Sequence, residues 1–101
     1  MASFLFEFEW DPVKARTNFS KHGVGFERAA EVFRDPLALT IPDDEYSVTE
    51  VRWITMGEDR LGQSILVLHT FEHLDDETAR IRIISARRPT RTEARDYEEP
   101  Q

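Results

Sequence analysis

The sequence predicts an α+β domain, in which a mostly antiparallel sheet is accompanied by two N-terminal helices and one C-terminal helix. Helical apolar spacing dominates the first third of the chain, and strand-like segments follow one another after it. Strands that come in a run, rather than alternating with helices, favour antiparallel pairing. The 101 residues suffice for one hydrophobic core and not for two. We therefore expect one domain over residues 1–101, with the order β-α-α-β-β-β-β-α.

The chain opens with a predicted strand and a predicted helix. Residues 4–9 alternate between phenylalanine and other side chains, which is the period of a half-buried strand. Asp11 and Pro12 are typical of a helix N-cap followed by proline in the first turn, and Gly23 is typical of a helix end. We expect a helix over residues 12–21 with two neighbouring stripes at helical spacing. The inward stripe is Ala15, Phe19 and His22, and the polar stripe is Lys14, Asn18 and Lys21.

A second helix and four strands are expected next. Four apolar residues at i, i+3, i+4 and i+7 predict a helix that begins near Gly25 and ends at Asp35-Pro36. These residues are Phe26, Ala29, Ala30 and Phe33. The predicted strands cover residues 37–41, 51–56, 65–71 and 79–86. An acidic loop, a turn with two glycines and an acidic hairpin loop separate them, at residues 42–49, 57–63 and 72–78. The third of these strands is the most continuously apolar and is therefore expected at the centre of the sheet.

The last strand and the last helix carry most of the positive charge. Arg80 and Arg82 alternate with two isoleucines, which predicts that both arginines project from one face of the strand. Thr90 and Glu93 have the spacing of a capping box, in which a hydroxyl and a carboxylate satisfy the first backbone amides of a helix. Because the capping box explains Glu93, we do not assign it a catalytic role.

Composition excludes several classes of protein and of site. The chain has no cysteine, so it holds neither a disulfide framework nor a thiolate metal site. The first residues lack a basic start and a long apolar run, which argues against a signal peptide, and the longest apolar stretch is too short for a membrane span. We therefore expect a cytoplasmic protein. Its three histidines share no ligand spacing, and no glycine-rich phosphate loop is present, so we predict no metal and no cofactor.

The charge is unevenly distributed. The formal net charge is −7, which argues against nucleic-acid binding. Residues 12–28, however, carry four basic residues against one acid, and residues 79–95 carry six against one. Residues 29–78 carry twelve acids against three arginines. If the fold joins the two basic segments, they can form a local anion site. Otherwise the arginines simply pair with the surplus acids.

Short motifs at both ends of the chain occur in a specific order. The opening motif is Phe8-Glu9-Trp10-Asp11-Pro12 with Lys14-Ala15, Asn18 and Lys21-His22-Gly23, and Asp35-Pro36 follows it. The closing motif is Arg82-Ile83-Ile84-Ser85-Ala86-Arg87 with Thr90, Glu93 and Tyr97. Together they resemble the BrnT family of toxins, whose opening pattern is F-x-W-D-x-x-K-A-x-x-N-x-x-K-H-G. The resemblance covers the chain from about residue 6 to residue 99.

The resemblance implies a RelE-like fold and a metal-independent endoribonuclease. It also implies a partner, a BrnA-like antitoxin with a ribbon-helix-helix DNA-binding domain that neutralises the toxin. This chain would then meet DNA only through the antitoxin, and RNA would be its substrate. Two observations favour a different hypothesis, a non-catalytic binding module that acts as partner or corepressor of the antitoxin. They are the acidic balance and the dependence of RNA affinity on phosphate contacts.

Candidate catalytic residues follow from the chemistry of metal-free RNA cleavage. The 2′-hydroxyl needs a base, the leaving 5′-oxygen needs an acid, and the charged phosphorane needs cations. Arg82 and Arg87 are the candidates for the phosphorane because a guanidinium can hold phosphate oxygens in two places. The alternative is that they pair with acids of the adjoining hairpin loop. His69 is the acid–base candidate because histidine titrates near neutrality; the alternative is a core or rim histidine with one hydrogen bond.

Candidate RNA-binding residues lie on the first and last helices. The predicted contacts with the RNA backbone are Lys14, Asn18, Lys21, Arg88 and Arg91. For the two lysines the alternative is a solvated helix face. For Arg88 the alternative, ion pairing with the acids of the hairpin loop, is favoured, and Arg91 faces either RNA or the antitoxin.

Overall fold

The computed structural model describes residues 5–43 and 50–98, apart from the side chains of residues 97 and 98. Within this part the chain forms three α-helices, a single 3₁₀ turn and six strands. In order they are β1 (Leu5–Glu9), α1 (Pro12–His22), α2 (Phe26–Glu31), the 3₁₀ turn (Val32–Arg34), β2 (Leu39–Pro42), β3 (Trp53–Glu58), β4 (Ser64–His69), β5 (Glu72–His73), β6 (Thr78–Arg87) and α3 (Arg91–Glu98). Residues 44–49 of the predicted acidic loop and the Tyr97 side chain lie outside the described residues.

The strands form one sheet in the order β1-β6-β4-β3-β2. All neighbours are antiparallel except β1, which pairs with β6 in parallel at one edge. β4 occupies the centre of this order, so the prediction from its apolar sequence is confirmed. β5 is a two-residue addition to β6 inside the predicted acidic hairpin loop. The α+β class and the element order are therefore confirmed, with β5 as the one extra strand in the described residues.

The hydrophobic core lies between one face of the sheet and the first two helices. It consists of Val24, Phe26, Ala29, Val32, Ile65, Val67, Ile81, Ile83 and Ala86. We call this side of the sheet the core face. On β6, Ala79, Ile81 and Ile83 are buried on the core face, whereas Arg80 and Arg82 alternate with them on the opposite face. The predicted alternation of arginine and isoleucine is confirmed.

Local signals place the ends of α1 as predicted. The Asp11 carboxylate accepts a hydrogen bond from the Val13 amide at 2.8 Å, and Pro12 occupies the first turn, where a missing N–H costs nothing. Gly23 ends the helix in the left-handed conformation with φ of 70°, which glycine adopts without a steric penalty.

Each of the two stripes predicted on α1 is wrong in part: Ala15 packs against the core and Lys14 and Lys21 are exposed, as predicted, but the remaining positions differ. Phe19 is 59% exposed and His22 is exposed, whereas Asn18 is only 6% exposed. The reason is hydrogen bonding, which competes with apolar burial for the inward position. β1 stops pairing with β6 at Arg82, so the backbone of β6 beyond this point lacks a strand partner on that side. The Asn18 amide takes its place: Nδ2 donates to the Ala86 carbonyl oxygen at 2.8 Å, and Oδ1 accepts from the Ala86 amide at 3.1 Å.

A β-bulge changes the phase of β6 near its end. Leu68 of β4 is paired with Ser85, but the next residue, His69, is paired with Ile83. Ile84 is therefore the extra residue of the bulge. After it, Ala86 lies on the core face and Arg87 pairs with Leu66 on the opposite face. Without the bulge, strict alternation would place Arg87 on the same face as Ile81.

The turn between β3 and β4 is fixed to α2 by Asp59. This buried carboxylate accepts hydrogen bonds from the Leu61 and Gln63 amides, both at 2.9 Å, and from the Arg28 guanidinium at 2.7 Å. Hydrogen bonds and the Arg28 charge hold the pKa of Asp59 below its ordinary value, against the opposing effect of burial. Arg28 is thus a structural cation. None of the helices in the described residues combines the length and the apolar character needed to cross a membrane.

Candidate functional site

Three arginines of β6 project from the face of the sheet opposite the core. Arg80, Arg82 and Arg87 each expose about two-fifths of the side chain. Arg80 and Arg82 line a cleft of about 340 Å3 together with Glu9, Glu50 and other residues of the neighbouring strands. Their backbones are about 7 Å apart, so both can approach one anionic ligand, whereas Arg87 lies about 13 Å further along the strand than Arg82, because the bulge residue adds no length to the strand.

Arg82 is paired with a residue from a distant part of the chain. Its Nη2 donates to Glu50 Oε2 at 2.5 Å. This hydrogen bond is the main reason that the pKa of Glu50 is lowered, and the charges of Arg82 and Arg52 add to the effect. The pairing residue therefore differs from the expected one, since Glu50 precedes β3 rather than belonging to the hairpin loop.

Arg80 lies among three carboxylates. It donates to Glu72 at 3.2 Å, and the carboxylates of Glu7 and Glu9 lie at 3.8 and 4.0 Å. Pairing with the hairpin loop, which was the alternative for this group of arginines, is therefore observed at Arg80. Another acid of the hairpin, Asp75, instead accepts the amides of Glu77 and Thr78, both at 2.8 Å.

Arg87 pairs with Glu93 at the start of α3. Its Nη1 and Nη2 donate to the two carboxylate oxygens of Glu93 at 2.8 and 2.9 Å. Glu93 also accepts from the Thr90 amide at 2.7 Å, and its own amide donates to the Thr90 hydroxyl at 3.1 Å. The predicted capping box is confirmed. These contacts, above all the hydrogen bonds from Arg87, lower the pKa of Glu93 to about 2.

His69 lies on the core face, so the structure does not bring it together with Arg82 and Arg87. Its side chain is 1% exposed. Nδ1 lies 2.9 Å from the Thr70 carbonyl oxygen, Nε2 lies 2.7 Å from the Thr55 hydroxyl, and the ring contacts Phe33 edge-on at 4.8 Å. Burial lowers the pKa of His69. The alternative given for this residue, a core histidine, describes its position, although it makes two hydrogen bonds rather than one.

A larger cleft opens where His69 approaches the surface. It measures about 590 Å3 and is lined by Phe6, Phe33, Thr40, Val51, Trp53, His69, Phe71, His73 and Ile81. We call it the aromatic cleft. It shares Val51 and Phe71 with the cleft that contains Arg80 and Arg82. The two clefts are therefore neighbours, separated by these two side chains.

The comparison with protein families decides what kind of protein this is. The family model described as "Ribonuclease toxin, BrnT, of type II toxin-antitoxin system" matches residues 10–93. The chain belongs to the BrnT family. The resemblance predicted from its two end motifs is thus confirmed. A crystal structure of the Brucella abortus ribonuclease toxin BrnT matches with a TM-score of 0.55 and 22% identity, covering 90% of this chain and all of that one. This likeness shows the shared fold. Among curated protein sequences, none matches the chain.

The two basic segments of this BrnT-family chain meet in part: Arg28 and Arg88 both donate to Gln63 Oε1, whereas α1 and the arginines of β6 do not share a site. α1 packs against the core side of β6, whereas the arginines of β6 point to the other side of the sheet. Lys14 and Lys21 are exposed on α1 and remain predicted RNA contacts. Asn18 is excluded from that role, because its side chain is buried and its amide also donates to the Val24 carbonyl oxygen at 3.1 Å.

The remaining predicted RNA contacts lie beyond β6. Arg88 is exposed and donates to Gln63 Oε1 at 3.2 Å. Arg91 is exposed in the first turn of α3. The positions of Arg88 and Arg91 neither support nor contradict contact with RNA, so both residues stay predicted RNA contacts. In the described residues, no group of three acidic or histidine side chains has a geometry that could hold a metal ion.

Sequence reasoning missed three residues of these clefts. Glu50 lies 32 positions from Arg82, the Thr55 hydroxyl contacts His69, and the Thr40 hydroxyl is linked to His69 only through Thr55. No local motif signals such contacts. A correct pairing of the strands would have found the threonines, because Thr40 lies opposite Thr55 and His69 lies opposite Trp53.

Proposed function

We propose that this chain is an endoribonuclease that cuts RNA by attack of the substrate's own 2′-hydroxyl, with Arg82 as the phosphate-binding residue. One observation carries the proposal beyond the family: Arg82 and Arg80 share a cleft on the face of the sheet opposite the core, where half-exposed carboxylates pair with them. Such surface ion pairs are weak and exchangeable. An RNA phosphate can therefore displace Glu50 and take the guanidinium in two-point contact.

The displaced carboxylate is suited to act as the base. In the free protein Arg82 lowers the pKa of Glu50, so the carboxylate is a weak base. When phosphate occupies Arg82, the pKa of Glu50 rises back towards its ordinary value, and Glu50 can accept the 2′-hydroxyl proton. The 2′-oxygen then bonds to phosphorus and the bond to the 5′-oxygen breaks. The 5′-oxygen takes a proton from solvent, and a 2′,3′-cyclic phosphate remains on the other fragment.

The other two predicted catalytic residues have different roles in this proposal. His69 cannot transfer a proton at Arg82, because it is buried on the opposite face of the sheet. Arg87 acts as a positioning residue that holds α3 through Glu93. The cations required by the phosphorane are then Arg82 and Arg80, and the mechanism uses no metal ion.

The partner and location follow from the family rather than from any contact seen in the structure. Membership of a type II toxin–antitoxin family implies an antitoxin. We propose that it is a BrnA-like ribbon-helix-helix protein, that DNA contact occurs only through it, and that the toxin acts in the cytoplasm. Co-expression with the protein encoded beside this chain tests the pairing. A stable complex that loses ribonuclease activity is the expected result.

The decisive experiment is an RNA cleavage assay on purified, partner-free protein with excess chelator. We expect products with cyclic phosphate or 3′-phosphate ends, and a loss of rate of about 100-fold or more in Arg82→Ala. Arg60→Ala is the matched control, since Arg60 is 81% exposed and pairs with Glu31 on another part of the surface. Equal activity in both variants would remove Arg82 from the site.

A binding module without catalysis is the second candidate function. It is favoured by the observation that Arg80, Arg82 and Arg87 all pair with carboxylates in the described structure. On this hypothesis the protein binds its antitoxin tightly and cleaves no RNA at any salt concentration. The same assay separates the two candidates, provided that circular dichroism shows the partner-free protein to be folded.

A further inference from the structure

We propose that the aromatic cleft is a nucleobase subsite, which receives one base of the RNA whose phosphate lies on Arg82 and reads its hydrogen-bonding edge through Thr40. This inference rests on the proposed ribonuclease function and adds a substrate contact to it. It is carried by three independent features: the walls of the cleft, the polarity of its hydrogen bonds and its position beside Arg82.

The walls have the chemistry that binds single-stranded bases. Phenylalanine, tryptophan and histidine rings from several strands and the 3₁₀ turn surround the cleft, and Phe71 and His73 stand edge-on at 5.0 Å at one side. Aromatic side chains of this kind stack on unpaired bases of any sequence. The volume of about 590 Å3 falls in the range of small-ligand pockets and admits a purine or a pyrimidine.

A chain of hydrogen bonds gives the cleft a defined polarity. A carbonyl oxygen can only accept, so Nδ1 of His69 carries the hydrogen that is donated to Thr70 O. In the neutral imidazole Nε2 is then an acceptor, and the Thr55 hydroxyl donates to it. Thr55 Oγ1 in turn accepts from the Thr40 hydroxyl at 2.7 Å. The lone pairs of Thr40 Oγ1 are left at the wall of the cleft, where they accept a hydrogen bond.

This polarity selects the kind of group that fits. The edge that meets Thr40 must donate, as an exocyclic amine or a ring N–H of a nucleobase does. A purely aliphatic occupant would displace water from the Thr40 oxygen without supplying a donor in its place, which costs free energy. Both His69 and Thr55 are 1% exposed, so solvent does not compete for the inner part of the chain.

The position of the cleft links it to the phosphate site. The aromatic cleft opens on the core face, whereas Arg82 lies on the opposite face. Val51 and Phe71 belong to the walls of both clefts and stand just beyond the Trp53–His69 end of the β3–β4 pair, so they form a ridge at this end of the ladder, around which the two clefts meet. Val51 is 64% exposed and Phe71 is 37% exposed. A nucleotide with its phosphate on Arg82 can thus turn its base over this ridge, which single-stranded RNA permits at low cost.

The experiment compares Thr40→Val, which removes the hydroxyl at nearly constant volume, with Thr40→Ser, which keeps it. Two readouts are used. The first is the distribution of cut sites in a random RNA pool. The second is quenching of Trp53 fluorescence by each of the four ribonucleoside 3′-monophosphates, with Trp53→Phe identifying the signal. Thr17→Val is the matched control, because Thr17 is exposed on α1.

We expect wild type and Thr40→Ser to prefer one base at a fixed position by about tenfold, and to bind the corresponding monophosphate more tightly than the other three. Thr40→Val should lose the preference in both readouts while still cutting RNA. Cut sites and quenching that are the same in Thr40→Val as in wild type would overturn the inference and leave the ribonuclease proposal intact. If wild type cleaves no RNA but quenching keeps its dependence on base and on Thr40, the subsite stands and the ribonuclease proposal fails.

Discussion

Asn18 shows how a single polar residue can complete a sheet. An amide side chain presents one donor group and one acceptor, as a peptide group does, and can therefore pair with the N–H and the C=O of the same strand residue. Asn18 does this at Ala86, where β6 continues beyond the end of β1. The contact joins α1 to the strand that carries the arginines, although the two residues are 68 positions apart.

Substitution of Asn18 should be costly. Asn18→Ala leaves the buried amide and carbonyl of Ala86 without partners, and we expect a loss of about 3 kcal/mol in the free energy of unfolding. Urea unfolding measures it. Lys14→Ala, on the exposed surface of the same helix, should change stability by less than about 0.5 kcal/mol. A similarly small effect of both substitutions would show that water replaces the Asn18 hydrogen bonds.

His69 should make stability depend on pH. Burial lowers its pKa below 6.5 in the folded protein, whereas an exposed histidine in the unfolded chain keeps that value. The unfolded state therefore binds more protons below pH 6.5, and the contribution of His69, complete above this pH, is lost as the pH falls through the folded-state pKa. We expect the free energy of unfolding to decline from pH 7 to pH 5. His69→Gln should flatten this decline, and a decline of the same size in His69→Gln would contradict the assignment.

At the scale of single residues, the sequence predicts what a side chain can do chemically better than it predicts where that side chain lies in the fold. The alternation along β6 correctly places Arg80 and Arg82 on one face, because it depends only on neighbouring residues. His69 was a candidate because histidine titrates near neutrality, a property that does not reveal which face of the sheet it occupies. Its strand neighbour Ile83 is set by a long-range pairing that no local pattern encodes.

At the scale of elements, the bulge at Ile84 decides the role of Arg87. It moves Arg87 out of the core face, to the position where it meets Glu93 and closes the capping box of α3. The capping spacing was readable from Thr90 and Glu93 alone, because it is local. The contribution of Arg87 to the capping box could not be read from the sequence, because no local sequence signal marks the bulge that positions this side chain.

Removing Arg87 should raise the pKa of Glu93 and so remove its pH-dependent stabilisation of the start of α3. The pKa of Glu93 is about 2 in the folded protein and 4.5 in the reference state. Its ionised form therefore stabilises the fold above about pH 4.5, and this stabilisation is lost as the pH falls from there to about 2. Arg87→Ala should raise the Glu93 pKa towards 4.5, as measured by NMR titration of the side-chain carboxyl. Arg88→Ala should leave it unchanged, and an unchanged pKa in Arg87→Ala would contradict the assignment.

Helices and strands were predictable because their signals are periodic or local. α1 begins at the proline after Asp11 and ends before Gly23, and β4 is central because it is apolar on both faces. The parallel pairing of β1 with β6 was not predicted. It joins the first strand to the last across the whole chain, and such pairings depend on tertiary packing rather than on local sequence.

At the scale of the whole molecule, the fold surrounds its basic strand with acids. β1 brings Glu7 and Glu9 beside Arg80, the hairpin brings Glu72, and Glu50 reaches Arg82. Part of the negative charge behind the net value of −7 therefore lies directly beside the candidate site. An RNA phosphate must exchange with a carboxylate, so affinity for RNA should be limited by these acids rather than by a lack of arginine.

Removing Glu50 should consequently separate binding from cleavage. Glu50→Gln leaves Arg82 without its competing carboxylate, so we expect several-fold tighter binding of single-stranded RNA whose 2′-hydroxyls are methylated and cannot react. The same variant lacks the proposed base, so cleavage of ordinary RNA should fall by about 100-fold. Glu58→Gln makes the same change of net charge at an exposed position at the end of β3. Fluorescence anisotropy over a range of salt concentrations measures the affinities, because phosphate contacts weaken with salt. Equal tightening in both variants would mean that net charge alone limits binding. Tighter binding in Glu50→Gln with undiminished cleavage would keep Arg82 as the phosphate site and remove Glu50 as the base.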